Sequence, residues 1–154
     1  MTDGRVAAAA AIPYGRDSVH VLLVECDPLT AIVTSRAFAS LARVAKVTIA
    51  IDGQDALDRL QSGACSPYQL IIVSELSMPR VTGMELIVAL RRRLAFEATP
   101  FAVLTASAAP LDRAEATRMQ VQGYFVRAGR GDLLVRVLSW LSDHDTRLPL
   151  RPSR

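Results

Sequence analysis

The sequence predicts an α/β fold: a five-stranded parallel sheet, doubly wound, with helices on both faces in three layers. Three observations carry this. Short β-branched runs alternate with amphipathic stretches in a steady βα beat. Three of those runs, Val21–Val24, Leu70–Val73 and Phe101–Leu104, are apolar at consecutive positions, as strands buried on both faces must be. The chain is also the size of one ordinary domain, with 154 residues of which 51% are hydrophobic.

Taken in order, the strands are expected at Val19–Glu25, Lys46–Ile51, Gln69–Glu75, Pro100–Ala106 and Gly123–Arg127. The helices between and after them are expected at Pro28–Arg43, Gln54–Gln61, Met84–Leu94, Leu111–Met119 and Asp132–Ser142. Asp27-Pro28 supplies a cap and then a proline at the first helical position, where a missing N–H costs nothing. Gly63 reads as the stop of the second helix and Gly83 as the opening of the third. The ordered domain is set at residues 18–145, between an Ala-rich extension at 1–17 and a Pro-containing tail at 146–154.

Composition removes several classes of function. No apolar run approaches the ~20 residues of a membrane span. Ala7–Ala11 is short, free of leucine and preceded by Asp3, so it does not read as a secretion signal. Cys26 and Cys65 belong to no metal-type cluster and suit a reducing compartment, and a cytoplasmic location is expected. The net charge is +3, but Val19–Asp143 holds thirteen basic and twelve acidic residues, so the domain itself is nearly neutral. Arg91, Arg92 and Arg93 form its basic run, with no aromatic residue interleaved, and read as a solvated helix face rather than a nucleic-acid contact.

In an open α/β sheet, ligands gather beyond the carboxyl ends of the strands. There the first strand carries Glu25-Cys26-Asp27, the third Glu75, the fourth Thr105-Ala106-Ser107 and the fifth Arg127. Acids, a hydroxyl and a cation thus meet on one rim. With Asp52-Gly53-Gln54-Asp55, the turn Met78-Pro79-Arg80-Val81-Thr82-Gly83 and Gly123-Tyr124-Phe125-Val126-Arg127, the chain resembles the receiver domain of bacterial two-component response regulators. The resemblance spans about residues 19–143. The intervals from Glu75 to Thr105 (30) and from Thr105 to Arg127 (22) suit that family.

The resemblance implies a flavodoxin-like sheet order and a role in signal transduction. It also implies a chemistry, in which an aspartate ending the third strand accepts a phosphoryl group from a kinase. Two acids after the first strand hold Mg²⁺, and a Thr or Ser with a Lys binds the phosphate. A Tyr or Phe near that lysine packs inward in the active state. This chain keeps Glu25, Thr105 and Tyr124 at matching positions but departs elsewhere. Cys26 stands at the second metal-ligand position, and Mg²⁺ binds sulfur poorly. Glu75 stands at the phosphoacceptor position, its carboxylate about 1.5 Å further out than an aspartate's. Arg127 stands for the lysine, and Asp27 is read as a helix cap rather than a shifted metal ligand.

A stand-alone, non-enzymatic atypical receiver is therefore expected, acting by protein–protein contact without phosphorylation or Mg²⁺. The alternative is a phospho-accepting regulator with Mg²⁺, using Glu75 or Ser74. A Glu75–Arg127 ion pair is expected, with Thr105 lending its hydroxyl, either imitating the active state or left as packing. Cys26 is expected to be structural filler with a raised thiol pKa, and Cys65 incidental in its loop. Eleven residues after Asp143 are too few for an output domain, so output is assigned to a partner such as a sensor kinase or regulatory protein. The expected contact patch, for that partner or for a homodimer, is Leu133, Trp140 and the outer side of Leu111–Met119. It lies on the fourth helix, fifth strand and fifth helix.

Overall fold

The computed structural model describes residues 18–65, 69–127, 135–137 and 139–140. Its elements are β1 (Val19–Val24), α1 (Pro28–Ala39), β2 (Val44–Ala50), α2 (Gly53–Gln61), β3 (Leu70–Ser74), α3 (Gly83–Arg91), β4 (Phe101–Thr105), α4 (Pro110–Arg118) and β5 (Gly123–Val126). Residues 135–137 and 139–140 are also helical and fall within the expected fifth helix. The five strands form one sheet, every pairing parallel, as the periodicity predicted, in the order β2-β1-β3-β4-β5 that the resemblance implied.

Strand alternation sorts the apolar residues into two cores, one on each face of the sheet. Leu22, Val24, Leu70, Ile72, Phe101 and Val103 face Ala56 and Leu60 of α2, Leu86, Ile87 and Leu90 of α3, and Ala116 of α4. Val21, Leu23, Ile71, Val73, Ala102 and Leu104 face Phe38 of α1 and Val137 of the last helical segment. Each fully covered Leu, Ile or Phe contributes about 1.5–3 kcal/mol through removal from water. These two layers hold the strand ends that build the rim.

Local chemistry sets the element ends. The Asp27 carboxylate accepts the Thr30 amide (2.8 Å) ahead of Pro28 at the first helical position, as expected. Gly63 turns the chain after α2 with φ of 82°, the left-handed region where glycine is unstrained. Thr82 and Glu85 form a reciprocal capping box at the start of α3, a signal that the emphasis on Gly83 passed over. The first helix is shorter than its periodicity suggested. It stops at Ala39, with the Ser40 amide bonded to the Arg36 and Ala37 carbonyls, and β2 begins two residues early at Val44. Sheet pairing explains the exchange, because Val19 aligns with Val44 and the Val19 amide donates to the Arg43 carbonyl.

Two further expectations change. Arg91 is not part of a uniformly solvated basic face. Its guanidinium donates to the carbonyls of Phe96, Thr99, Met119 and Gln120, tying the end of α3 to the turns before β4 and β5. Cys65 is not incidental; it is buried in the core with its Sγ 4.0 Å from His20 Nε2.

Candidate functional site

Strand order places the site. β1 leads outward to β2 on one side, while β3, its other neighbour, leads to β4 and β5. The crevice of a doubly wound sheet opens at that reversal. Val24 and Ser74 are register partners, so the residues after them, Glu25 and Glu75, leave the sheet side by side. A cavity of about 580 Å³ opens there, lined by Glu25, Cys26, Glu75, Leu76, Ser77, Thr82, Met84, Thr105, Ser107 and Asp112, among others. The predicted rim residues Glu25, Cys26, Glu75 and Thr105 are thereby brought together.

Glu25 is buried, with both carboxylate oxygens engaged. Oε2 accepts the Asp27 amide (3.0 Å) and Oε1 accepts a guanidinium N–H of Arg127 (2.9 Å). Glu75 turns back on its own loop. Its Oε1 accepts the amides of Leu76 (2.6 Å) and Ser77 (3.2 Å), while its Oε2 stands 3.9 Å from Arg127 Nε. The expected Glu75–Arg127 pair therefore exists, but Arg127 lies closer to Glu25. Arg127 itself is fixed by its backbone, whose N–H donates to the Thr105 carbonyl (2.6 Å) at the end of β4.

Thr105 is buried and lines the cavity, with its hydroxyl accepting the Ser107 amide (3.2 Å). Ser107 in turn donates its hydroxyl to Asp112 and accepts the Ala109 amide, which shapes the entry to α4. Tyr124, on β5, is half-buried against the α2–α3–α4 core, and its hydroxyl donates to the Ser107 carbonyl (3.0 Å). The Arg113 guanidinium lies 4.7 Å above its ring. Partial burial pushes the phenol above its ordinary pKa.

Cys26 is exposed on the rim and fills no core space, contrary to the filler expectation; its Sγ reaches only toward the Ser77 carbonyl (3.9 Å). Its thiol is nonetheless held above the ordinary value, by the protein around the sulfur first and by Glu25 second. Asp27 serves as the α1 cap, and its carboxyl is lowered chiefly by the Thr30 hydroxyl and amide. Ser74 is fully buried and donates its hydroxyl to the Glu75 carbonyl, which removes it from the pocket's reach.

Sequence reasoning missed a further ion pair at this end of the sheet. Arg80, in the turn after β3, grips Asp52 with two bonds of 2.7 and 2.9 Å. Asp52 caps α2, and the Arg80 guanidinium holds its carboxyl below the usual carboxylate range. Asp52 and Arg80 stand 28 residues apart, with the arginine inside the conspicuous Pro-x-x-x-Gly turn, and only the folded chain brings them together. Gly83 closes that turn by necessity. A Cβ there would meet the Glu75 carbonyl oxygen at 2.2 Å and Leu76 Cα at 2.8 Å.

Leu133 lies outside the described residues. Trp140 packs edge-on against Phe125, with ring centroids 6.1 Å apart, and its indole N–H donates to the Gln122 carbonyl (3.3 Å). It thus covers β5 rather than standing free. Leu111 remains 82% exposed on α4. Among the described residues no helix is long and apolar enough to cross a membrane.

Comparison with known proteins agrees with this fold. Residues 21–138 match the response regulator receiver domain family. The probable methanogenesis regulatory protein FilR2 of Methanothrix harundinacea is 30% identical over 113 residues, which cover 72% of this chain and 73% of that protein. The chemotaxis response regulator CheY4 of Vibrio cholerae is 25% identical with a TM-score of 0.67, over 80% of this chain and 98% of that one. A response regulator receiver protein from Pseudomonas putida shares the fold at 14% identity and a TM-score of 0.70, over 82% and 98% of the two chains.

Proposed function

The chain belongs to the response regulator receiver domain family, and on that premise we propose that it is an atypical receiver whose pocket is held in one state by Arg127. It signals by contact with a protein partner, without taking Mg²⁺ or a phosphoryl group. The observation that carries this reading is the guanidinium of Arg127, 2.9 Å from Glu25 and 3.9 Å from Glu75. A cation belonging to the chain stands between the two acids that the family resemblance assigns to metal and phosphate chemistry.

The donor set does not fit a magnesium ion. Mg²⁺ demands near-ideal octahedral oxygen ligation at about 2.0–2.1 Å. Here both Glu25 oxygens are already bonded, the next residue offers sulfur, and Glu75 Oε1 serves two backbone amides. Among the described residues no group of three or more His, Cys, Asp or Glu gathers to hold a metal. Phosphoryl transfer is further opposed by geometry, since a misplacement near 1 Å can cost about 100-fold in rate. The inward Tyr124, bonded to the Ser107 carbonyl, favours a fixed state over featureless drift.

The test is incubation with acetyl phosphate and Mg²⁺ followed by intact-mass measurement. We expect no phosphoryl adduct on the natural chain. The variant combining C26D, E75D and R127K restores the family's donor set, and its adduct serves as the positive control. A stoichiometric adduct on the natural chain would overturn the reading in favour of a phospho-accepting regulator.

A further inference from the structure

The ion pair between Arg80 and Asp52 has no place in the pocket chemistry. Its geometry is specific. Arg80 adopts φ of 64°, a left-handed conformation uncommon for a residue with a side chain. From there its guanidinium forms parallel bonds to both oxygens of Asp52, a buried carboxylate at the α2 N-terminus. The neighbouring residue repeats the attachment through the backbone. The Gly53 amide donates to the Val81 carbonyl (3.1 Å), and a Cβ on Gly53 would sit 2.3 Å from that oxygen. The turn between β3 and α3 is thus fastened to α2 at two adjacent points.

That turn is also a wall of the cavity, through Leu76, Ser77 and Thr82. The amides of Leu76 and Ser77 hold the Glu75 carboxylate, and the Gly83 amide returns to the Leu76 carbonyl (2.9 Å). A displacement at Arg80 therefore reaches Glu75 through a short run of bonded groups. We propose that the Asp52–Arg80 contact is a latch that holds the β3–α3 turn against α2 and so fixes the Glu75 carboxylate at the pocket. The inference goes beyond the absence of phosphorylation and stands whether or not the pocket accepts a phosphoryl group. It makes the α2 N-terminus a place from which the pocket can be opened.

Amide hydrogen exchange followed by NMR tests the latch in the full chain, using R80Q and R80G. Arg80 is more than half exposed, so both variants should fold. R80Q removes the charged fork; R80G also relieves the left-handed conformation, which separates backbone preference from the ion pair. In both, the amides of Gly53, Leu76, Ser77 and Gly83 should exchange about tenfold faster or more, while those of Leu22 and Ile72 stay unchanged. The Glu75 side-chain carboxyl resonance should move as its amide partners loosen. Retained protection in R80G would mean that the turn holds itself, which overturns the latch. An unmoved Glu75 resonance, or a rise at Leu22 and Ile72 equal to that in the turn, would overturn it as well.

Discussion

Replacing Arg127 by alanine perturbs the pocket most directly, and the structure sets the scale of the effect. The side chain of Glu25 is 6% exposed and that of Arg127 29%, so the pair is largely withdrawn from water. Removing one partner of a buried pair commonly costs about 3–5 kcal/mol, because the other charge stays behind without compensation. Glu25 keeps the Asp27 amide, and Arg127 retains some solvent, so we expect about 2–3 kcal/mol for R127A. Urea unfolding is the assay, with the midpoint falling and the m-value unchanged. A double-mutant cycle refines it: coupling of Arg127 to Glu25, through E25Q, should exceed coupling to Glu75, through E75Q, in keeping with 2.9 against 3.9 Å. A cost for R127A below about 0.5 kcal/mol, the usual range for surface changes, would refute the central role given to this guanidinium.

Four further outcomes are expected. Burial lowers the His20 pKa to about 4, so folding excludes the proton that the unfolded imidazole takes up near 6.5; stability is complete above that value and declines as pH falls toward 4. Unfolding free energies from urea titrations should therefore fall by about 2–3 kcal/mol more between pH 7 and pH 4.5 in the natural chain than in H20Q. The Asp52 carboxyl is depressed by Arg80, so its contribution is present above the unfolded value of about 3.9 and lost as pH falls through the folded one; the gap between the natural chain and R80Q should narrow in acid. G83A, whose Cβ would strike the Glu75 carbonyl, should cost about 1–3 kcal/mol by thermal unfolding. Mg²⁺ titration watched at the Glu25 and Glu75 amides should give no saturable shift at millimolar concentration, while C26D/E75D should restore one.

The fold was legible because its signals are redundant. Consecutive apolar residues in β1, β3 and β4 fixed the parallel sheet, and the Asp27-Pro28 cap located α1. Where one weak signal stood alone, sheet pairing decided, as when Val44 joined Val19 and shortened the helix expected to reach Arg43. The members of the site were legible for a similar reason, since each closes a strand. Their partners were not. Arg127 can reach either acid, and only the side-by-side exit of Glu25 and Glu75 shows which is nearer. Arg80 and Asp52 lie 28 positions apart in sequence, and no local pattern joins them. Arg91 illustrates the converse: a run of three arginines looks solvated, yet its first member is occupied by four carbonyls that only the folded chain brings into range.

Arg127 also bears on how such a molecule receives information. A dissolved ion has a concentration, and a pocket filled by one reports that concentration. A guanidinium carried on the end of β5 is present at a fixed effective molarity, set by the chain itself and indifferent to the surrounding pool. On our reading of the pocket, the site therefore has no occupancy to vary, and the number of molecules becomes the variable that a cell can adjust. If the proposed reading holds, control by a kinase and a phosphatase gives way to control by the amount of protein and by the local opening of the turn near Glu75.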